Sequence, residues 1–209
     1  MNLYRRARNI LWRLSIKGLP RGPHVTRYSM YRQLTLVGDS LQNKSGRILS
    51  ISHSTNLVEL LGLQPIELVE ANYPDADMAS LAFDDNAFDF VLSDQVLEHV
   101  EANPRAAIDE CLRVLKPGGY AVHTTCFINP VHDVPKDFWR FTPDALKFLH
   151  RHFGEILECK GWGNFEVWSF VKDGLRFTGV PEVRWHPLNR VAVKNNPLWP
   201  IVTWIVARK

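Results

Sequence analysis

The sequence predicts an α/β fold with a mainly parallel sheet covered on both faces. Three observations carry that reading. From Gly46 onward, short apolar runs (Arg47–Ile51, Ile66–Asn72, Phe88–Ser93, Tyr120–Thr125) alternate with helical stretches. Turn chemistry stands between them: Gly62, Gln64-Pro65, Asp84-Asp85-Asn86 and Lys116-Pro117-Gly118-Gly119. At 209 residues, 45% of them hydrophobic, the chain can bury a substantial core.

The elements follow in order. Residues 1–45 read as an N-terminal helical extension before an α/β domain of 46–209. MNLYRRARNILWRLSIKG places Leu3, Ala7, Ile10, Leu11 and Leu14 on one helical stripe, with Arg5, Arg6, Arg8 and Arg13 mostly off it. Such a helix either packs its stripe on the domain with a solvated basic back, the favoured reading, or lies on anionic membrane. LPRGPHV is a Pro/Gly linker, and TRYSMYRQLTLVGDSLQN a second helix. Arg47–Ile51 is a buried strand, Ser52-His53-Ser54-Thr55-Asn56 a polar turn, and Leu57–Gly62 a helix with a glycine stop. Ile66–Asn72 and Phe88–Ser93 are strands, and Gln95–Val100 is a helical turn. Asn103-Pro104 opens an amphipathic helix with Ala107, Ile108, Cys111, Leu112 and Leu115 inward. Lys116–Gly119 closes it, and Tyr120–Thr125 is the next strand. A long loop, CFINPVHDVPKDFWRF, leads to a helix capped by Thr142 with Pro143 at its first turn, and Ile201–Ala207 forms a late strand.

The bulk numbers narrow the function. A net charge of +3, with basic residues gathered at the N-terminus and no recognised motif, argues against nucleic acid binding. Cys111, Cys126 and Cys159 are scattered without ligand spacing, which suits inert buried thiols in a reduced, cytoplasmic protein. No apolar run approaches the roughly 20 residues of a membrane-spanning helix. No metal site is expected: His123, His132 and Asp133 match no ligand pattern. The tryptophans Trp162, Trp168, Trp185, Trp199 and Trp204 suit core and oligomer surface better than a carbohydrate platform.

The stretch FDDNAFDFVLSDQVLEHVEANPRAAIDECLRVLKPGGYAVHTT closely resembles the S-adenosylmethionine-dependent class I methyltransferases, in their small-molecule, type 11-like group. The resemblance rests on Leu81–Asp85, Phe88–Val91, Val96–Val100 and Arg113–Gly119, in order and at the family's spacing. It implies a Rossmann-like doubly wound, mostly parallel sheet of seven strands, and S-adenosylmethionine as cofactor. It implies Glu70 on the ribose hydroxyls, Asp77 on the adenine amino group and Met78 against the ring. Ser93 and Asp94 would line the methionine part. Two departures stand out. Ser52 and Ser54 occupy glycine positions and Ser50 replaces an acid, so the turn would hold the cofactor with altered geometry, His53 near its methionine end. The short gap from Glu70 to Asp77 implies a reduced connection between the second and third strands.

Methyl transfer to oxygen needs alignment and a proton acceptor. The loop after Thr125 resembles one in methyltransferases of bacterial surface-glycan clusters, which implies a small-molecule or lipid/glycan-linked acceptor. His132 is a candidate base, with Asp137 orienting it; Trp139 could stack on substrate or staple the loop, and Arg140 could pair with an anion or a protein carboxylate. His99 is the second base candidate, its alternative a structural histidine. The readings that follow are a methyltransferase, acting in the cytoplasm or at the inner membrane surface, and a degenerate methyltransferase-like scaffold protein. A nicotinamide enzyme fits less well, because it needs the missing G-x-G-x-x-G even more.

Overall fold

The alternation from Gly46 onward builds one sheet in the computed structural model of the protein, which describes residues 3–132 and 136–209, with side chains from Arg6 onward. In chain order, α1 (Leu3–Ser15) and β1 (Arg21–His24) precede α2 (Tyr28–Ser40), β2 (Ser45–Ile51) and α3 (Asn56–Leu60). Then come β3 (Gln64–Ala71), β4 (Phe88–Asp94), a 3₁₀ turn (Leu97–His99), α4 (Pro104–Val114) and β5 (Leu115–Cys126). The remainder is α5 (Pro143–Leu149), β6 (Glu155–Trp162), α6 (Val167–Lys172), β7 (Gly179–Pro181), α7 (Pro187–Val193) and β8 (Val202–Arg208).

The sheet order is β3-β2-β4-β5-β8-β6. The β3, β2, β4 and β5 strands run parallel, and β8 is antiparallel to both β5 and β6. Period-2 alternation splits the core between two faces. Ile48, Phe90, Leu92, Val122 and Val206 meet α2 through Met30, Leu34 and Val37. Leu49, Ile51, Val91, Ala121 and Ile205 meet α4 and α5 through Ala107, Ile108, Cys111 and Leu146.

Four differences from expectation have local causes. The sheet has six strands, not seven, among the described residues. A further parallel strand beyond β3 needs a crossover of a dozen or more residues, and residues 72–87 are too few to supply both. That segment instead holds one isolated bridge, Asp77 to Ser80, and packs Met78 and Leu81 into the core. As a result β3 is an edge strand, exposed over most of its length. Residues 21–24, expected as linker, form β1 and pair antiparallel with β7, a two-stranded ribbon whose edge tolerates Pro23. Lys116–Gly119 does not separate helix from strand: β5 starts at Leu115, and its register against β4 shifts between Phe88 and Phe90 to absorb the extra residues.

The last difference is at α1. The helix docks through its other face: Arg8 pairs with Asp173, Trp12 packs edge-on against Phe170 at 5.0 Å, and Ile16 is buried. Polar anchoring and ring contacts from Trp12 to Phe170 and His186 hold it, while Ala7, Ile10, Leu11 and Leu14 of the apolar stripe face outward.

Candidate active site

The carboxyl ends of β2 and β4 open into a cleft of about 650 Å³, where open α/β sheets bind their ligands. The volume lies within the usual range for small-molecule sites. Its floor is Ser52, His53, Gln95 and Val96. One wall carries Tyr73, Pro74, Asp77 and Met78, and the other His99, Val100, Lys136 and Phe138.

The turn after β2 bends as a glycine turn does, without glycines. Ser52 (φ 50°) and His53 (φ 62°) both lie in the left-handed region. The bend is held by Ser52 N–H donating to the Ala71 carbonyl (3.0 Å) and His53 N–H to Asn72 Oδ1 (2.8 Å). Asn72 in turn donates to Glu70 Oε2 (3.1 Å), and His53 Nδ1 lies 3.6 Å from the same oxygen. Glu70 is therefore tied to the turn through Asn72 and His53 and is not itself among the residues that line the cleft. Ser50 is fully buried in β2, where a carboxylate would need a partner.

Three residues expected against the cofactor turn inward instead. Ser54 is fully buried; its hydroxyl donates to the Ile51 carbonyl and accepts from Asp94 N–H (2.7 Å). Ser93 is also buried, its Oγ 2.7 Å from His123 Nδ1. Asp94 accepts from Tyr31 and Asn56 at Oδ2 and from Thr124 at Oδ1, so both oxygens are committed. Burial, then the Asp94 charge, pushes the Tyr31 hydroxyl well above its ordinary range and keeps it a donor. This knot ties α2, β2, β4 and β5 beneath the cleft without lining it.

Asp77 and Met78 do line it. Asp77 Oδ1 accepts from the Ala79 amide (2.8 Å), which orients the carboxylate and leaves Oδ2 to a ligand. Gln95, which spacing alone did not single out, follows β4 at φ 60°. Its Nε2 donates to Thr124 Oγ1 (2.9 Å), and its buried Oε1 has no partner among the described residues. An apolar slot with an acceptor at Asp77, a carboxylate pair of oxygens at Glu70 and an orphaned acceptor at Gln95 suits a ligand bearing an aminopurine, a diol and an ammonium group.

The other wall is built by the loop after β5. Phe138 and Trp139 N–H groups donate to the Glu98 carbonyl, and Trp139 Nε1 donates to the Val100 carbonyl (2.8 Å). Trp139 thus staples the loop to the 3₁₀ turn. Arg140 holds Asp137 through both carboxylate oxygens and keeps that carboxyl well below the usual carboxylate range. Arg140 is therefore paired with the protein's own carboxylate.

His99 and His132 meet edge-on, 5.0 Å apart. Only His99 lines the cleft. His99 Nδ1 lies 2.6 Å from the Lys136 carbonyl, which can only accept, so Nδ1 donates and any acceptor role of the ring falls to Nε2. His132 packs behind it, its amide donating to Asp137 Oδ2 (3.0 Å) and its Nδ1 3.1 Å from the same oxygen. Two donor sets, Glu98-Cys126-His132 and His99-His132-Asp137, bring ligand atoms within 4.8 Å of one another. In the second, Arg140 already neutralises Asp137; in the first, burial and then the Glu98 charge push the Cys126 thiol up to about 12. Asp133 lies outside the described residues. The loop residues Lys136 and Phe138, and Tyr73 across the cleft, gave no sequence signal because loop walls carry no periodicity.

Comparison with known proteins agrees with this architecture. A family model described as a methyltransferase domain matches residues 37–123. A ubiquinone biosynthesis O-methyltransferase of Alkalilimnicola ehrlichii is 30% identical over 97 residues, covering 46% of this chain and 39% of that protein. The chain spans less than half the length of the curated relatives it matches. A methyltransferase from Archaeoglobus fulgidus, described as dependent on S-adenosylmethionine, superposes with a TM-score of 0.55 at 15% identity, over 88% of this chain and 94% of that one. The [4+2]-cyclase SpnF does so with a TM-score of 0.51 at 18% identity, over 99% and 93%. Such distant likenesses show the fold and leave the reaction to the site. The match of residues 37–123 to a methyltransferase-domain model, the six-stranded sheet order and the cleft at its carboxyl end give this chain the class I methyltransferase fold.

Proposed function

We propose that the protein transfers a methyl group to a hydroxyl oxygen of a small-molecule or lipid/glycan-linked acceptor, with His99 as general base. Asp77 and Met78 hold the adenine, Glu70 the ribose diol, and Gln95 Oε1 accepts from the ammonium. When bound, S-adenosylmethionine supplies an electrophilic methyl on a sulfonium sulfur. The protein's own work is alignment and proton transfer. His99 Nε2 takes the proton that the acceptor hydroxyl gives up as its oxygen gains the methyl, and the Lys136 carbonyl stabilises the resulting imidazolium through Nδ1–H.

The observation that carries this reading is the His99–Lys136 hydrogen bond in the cleft wall, which commits Nδ1 as a donor and leaves any acceptor role of the ring to Nε2. His132 and Asp137 then orient the loop that supplies the Lys136 carbonyl. The oxygen acceptor is supported by the Alkalilimnicola relative, which is described as an O-methyltransferase of ubiquinone biosynthesis. The left-handed Ser52 and His53 support a working cofactor turn over a degenerate scaffold, because the cradle's backbone shape survives the loss of glycine.

Calorimetric titration with S-adenosylhomocysteine, followed by its release from S-adenosylmethionine in the presence of phenol and sugar acceptors, tests the proposal. Binding at sub-millimolar concentration is expected, and its absence would overturn the enzyme reading. His99→Gln should slow turnover about 10²–10⁴-fold without weakening S-adenosylhomocysteine. Full turnover by that variant would remove His99 as base.

A further inference from the structure

We infer that the outer face of α1 is a docking surface for anionic lipid, built separately from the cleft. Successive helical residues are about 100° apart. Arg8, Asn9, Trp12 and Ile16 therefore share the face that docks on the domain, and Ile10, Leu11 and Leu14 point the opposite way. Those three aliphatic side chains are 58%, 66% and 59% exposed, a contiguous apolar stripe of the kind that marks an interaction site. Arg6 and Arg13 flank the stripe along one side, both exposed, and Lys17 and Arg21 extend the basic edge beyond the helix.

Arg13, Lys17 and Arg21 also rim a shallow depression of about 430 Å³ beside Phe177, a phenylalanine 78% exposed at the start of the β7 ribbon. The apolar stripe and Phe177 are placed to enter the acyl boundary, and the three cations to meet phosphates.

Charge decides the occupant. The first 38 residues hold eight Lys and Arg and no Asp or Glu. A self-associating face of this composition would bring like charges together, whereas an anionic bilayer offers phosphates to the rim and hydrocarbon to the stripe. The anchoring of α1 through Arg8 and Trp12 presents that face as a rigid shelf rather than a helix that must order on contact.

The test is cosedimentation of the full chain with phosphatidylglycerol vesicles and with phosphatidylcholine vesicles, at low and at 0.5 M salt. Binding to the anionic vesicles alone, weakened by salt, is expected. Arg13→Glu with Lys17→Glu should weaken it at least about tenfold, and Ile10→Glu with Leu14→Glu should abolish it. Circular dichroism melting and S-adenosylhomocysteine binding check that the variants remain folded, since all four side chains are exposed. Equal binding to neutral vesicles, variants that bind like the parent, or no vesicle binding would each overturn the inference. A dimer in sedimentation velocity that the apolar variant breaks, without vesicle binding, would assign the face to a second copy instead and would leave the cleft's chemistry untouched.

Discussion

Glycine substitutions at Ser52 and Ser54 should have opposite effects, although both positions fall where a nucleotide turn expects glycine. Ser52 sits at φ 50°, and holding a side chain there costs about 1–2 kcal/mol. Ser52→Gly removes that strain and adds about 0.5–1 kcal/mol of unfolded-chain entropy. The net effect is a gain of up to about 1.5 kcal/mol. Ser54 is fully buried, and its hydroxyl joins the Ile51 carbonyl to the Asp94 amide. Ser54→Gly strands that buried N–H and C=O, at about 1–3 kcal/mol for a group left unpaired, and loosens the tie between β2 and β4. A loss of about 2–4 kcal/mol is expected. For a chain of this length each kcal/mol moves Tm by about 2–4 °C, so Ser54→Gly should melt roughly 4–16 °C lower. Urea denaturation with constant m-value checks that the change is in stability. A Ser54→Gly protein as stable as the parent, or Ser52→Gly falling alongside it, would refute the assignment of strain to one serine and bonding to the other.

Asp77→Ala should weaken S-adenosylhomocysteine by about 1–3 kcal/mol, the range for a lost bond to a buried polar group; calorimetry showing unchanged affinity would remove Asp77 from the adenine. Gly38→Ala should severely destabilise the fold, because a Cβ there would lie 2.5 Å from the Leu61 carbonyl oxygen where α2 crosses the end of α3; a urea midpoint within error of the parent would contradict that close approach. His150 is fully buried, and burial lowers its pKa to about 4. Below about 6.5 the unfolded chain binds a proton that the folded one refuses, so His150's contribution is complete above 6.5 and lost as pH falls toward 4. Its full size is on the order of 3 kcal/mol. An imidazole titration followed by NMR with a His150 midpoint at or above 6.5 would disprove it.

Local rules in the sequence determined the parts of this protein that depend on near neighbours. Asn103 and Thr142 cap α4 and α5 through their own side chains, with Pro104 and Pro143 at the first turn, because capping is settled within three residues. The apolar runs at 48–51 and 88–93 became central parallel strands, since only burial on both faces suits them. The missing crossover after β3 was visible as a short gap, and the number of strands that gap leaves in the sheet was settled by tertiary pairing.

Direction was also a tertiary decision. The stripe of α1 shows an apolar face without saying which way it points. The ion pair from Arg8 to Asp173, 165 residues away, turned it outward. Ser54, Ser93 and Asp94 look like cleft residues by position, yet partners 40, 30 and 63 residues distant claim their polar atoms. The turn at Ser52 and His53 adopts its left-handed bend because Ala71 and Asn72, at the end of a neighbouring strand, accept its amides. Spacing along a chain can place a polar group near a site, whereas contacts across the sheet decide whether it faces the ligand or the core.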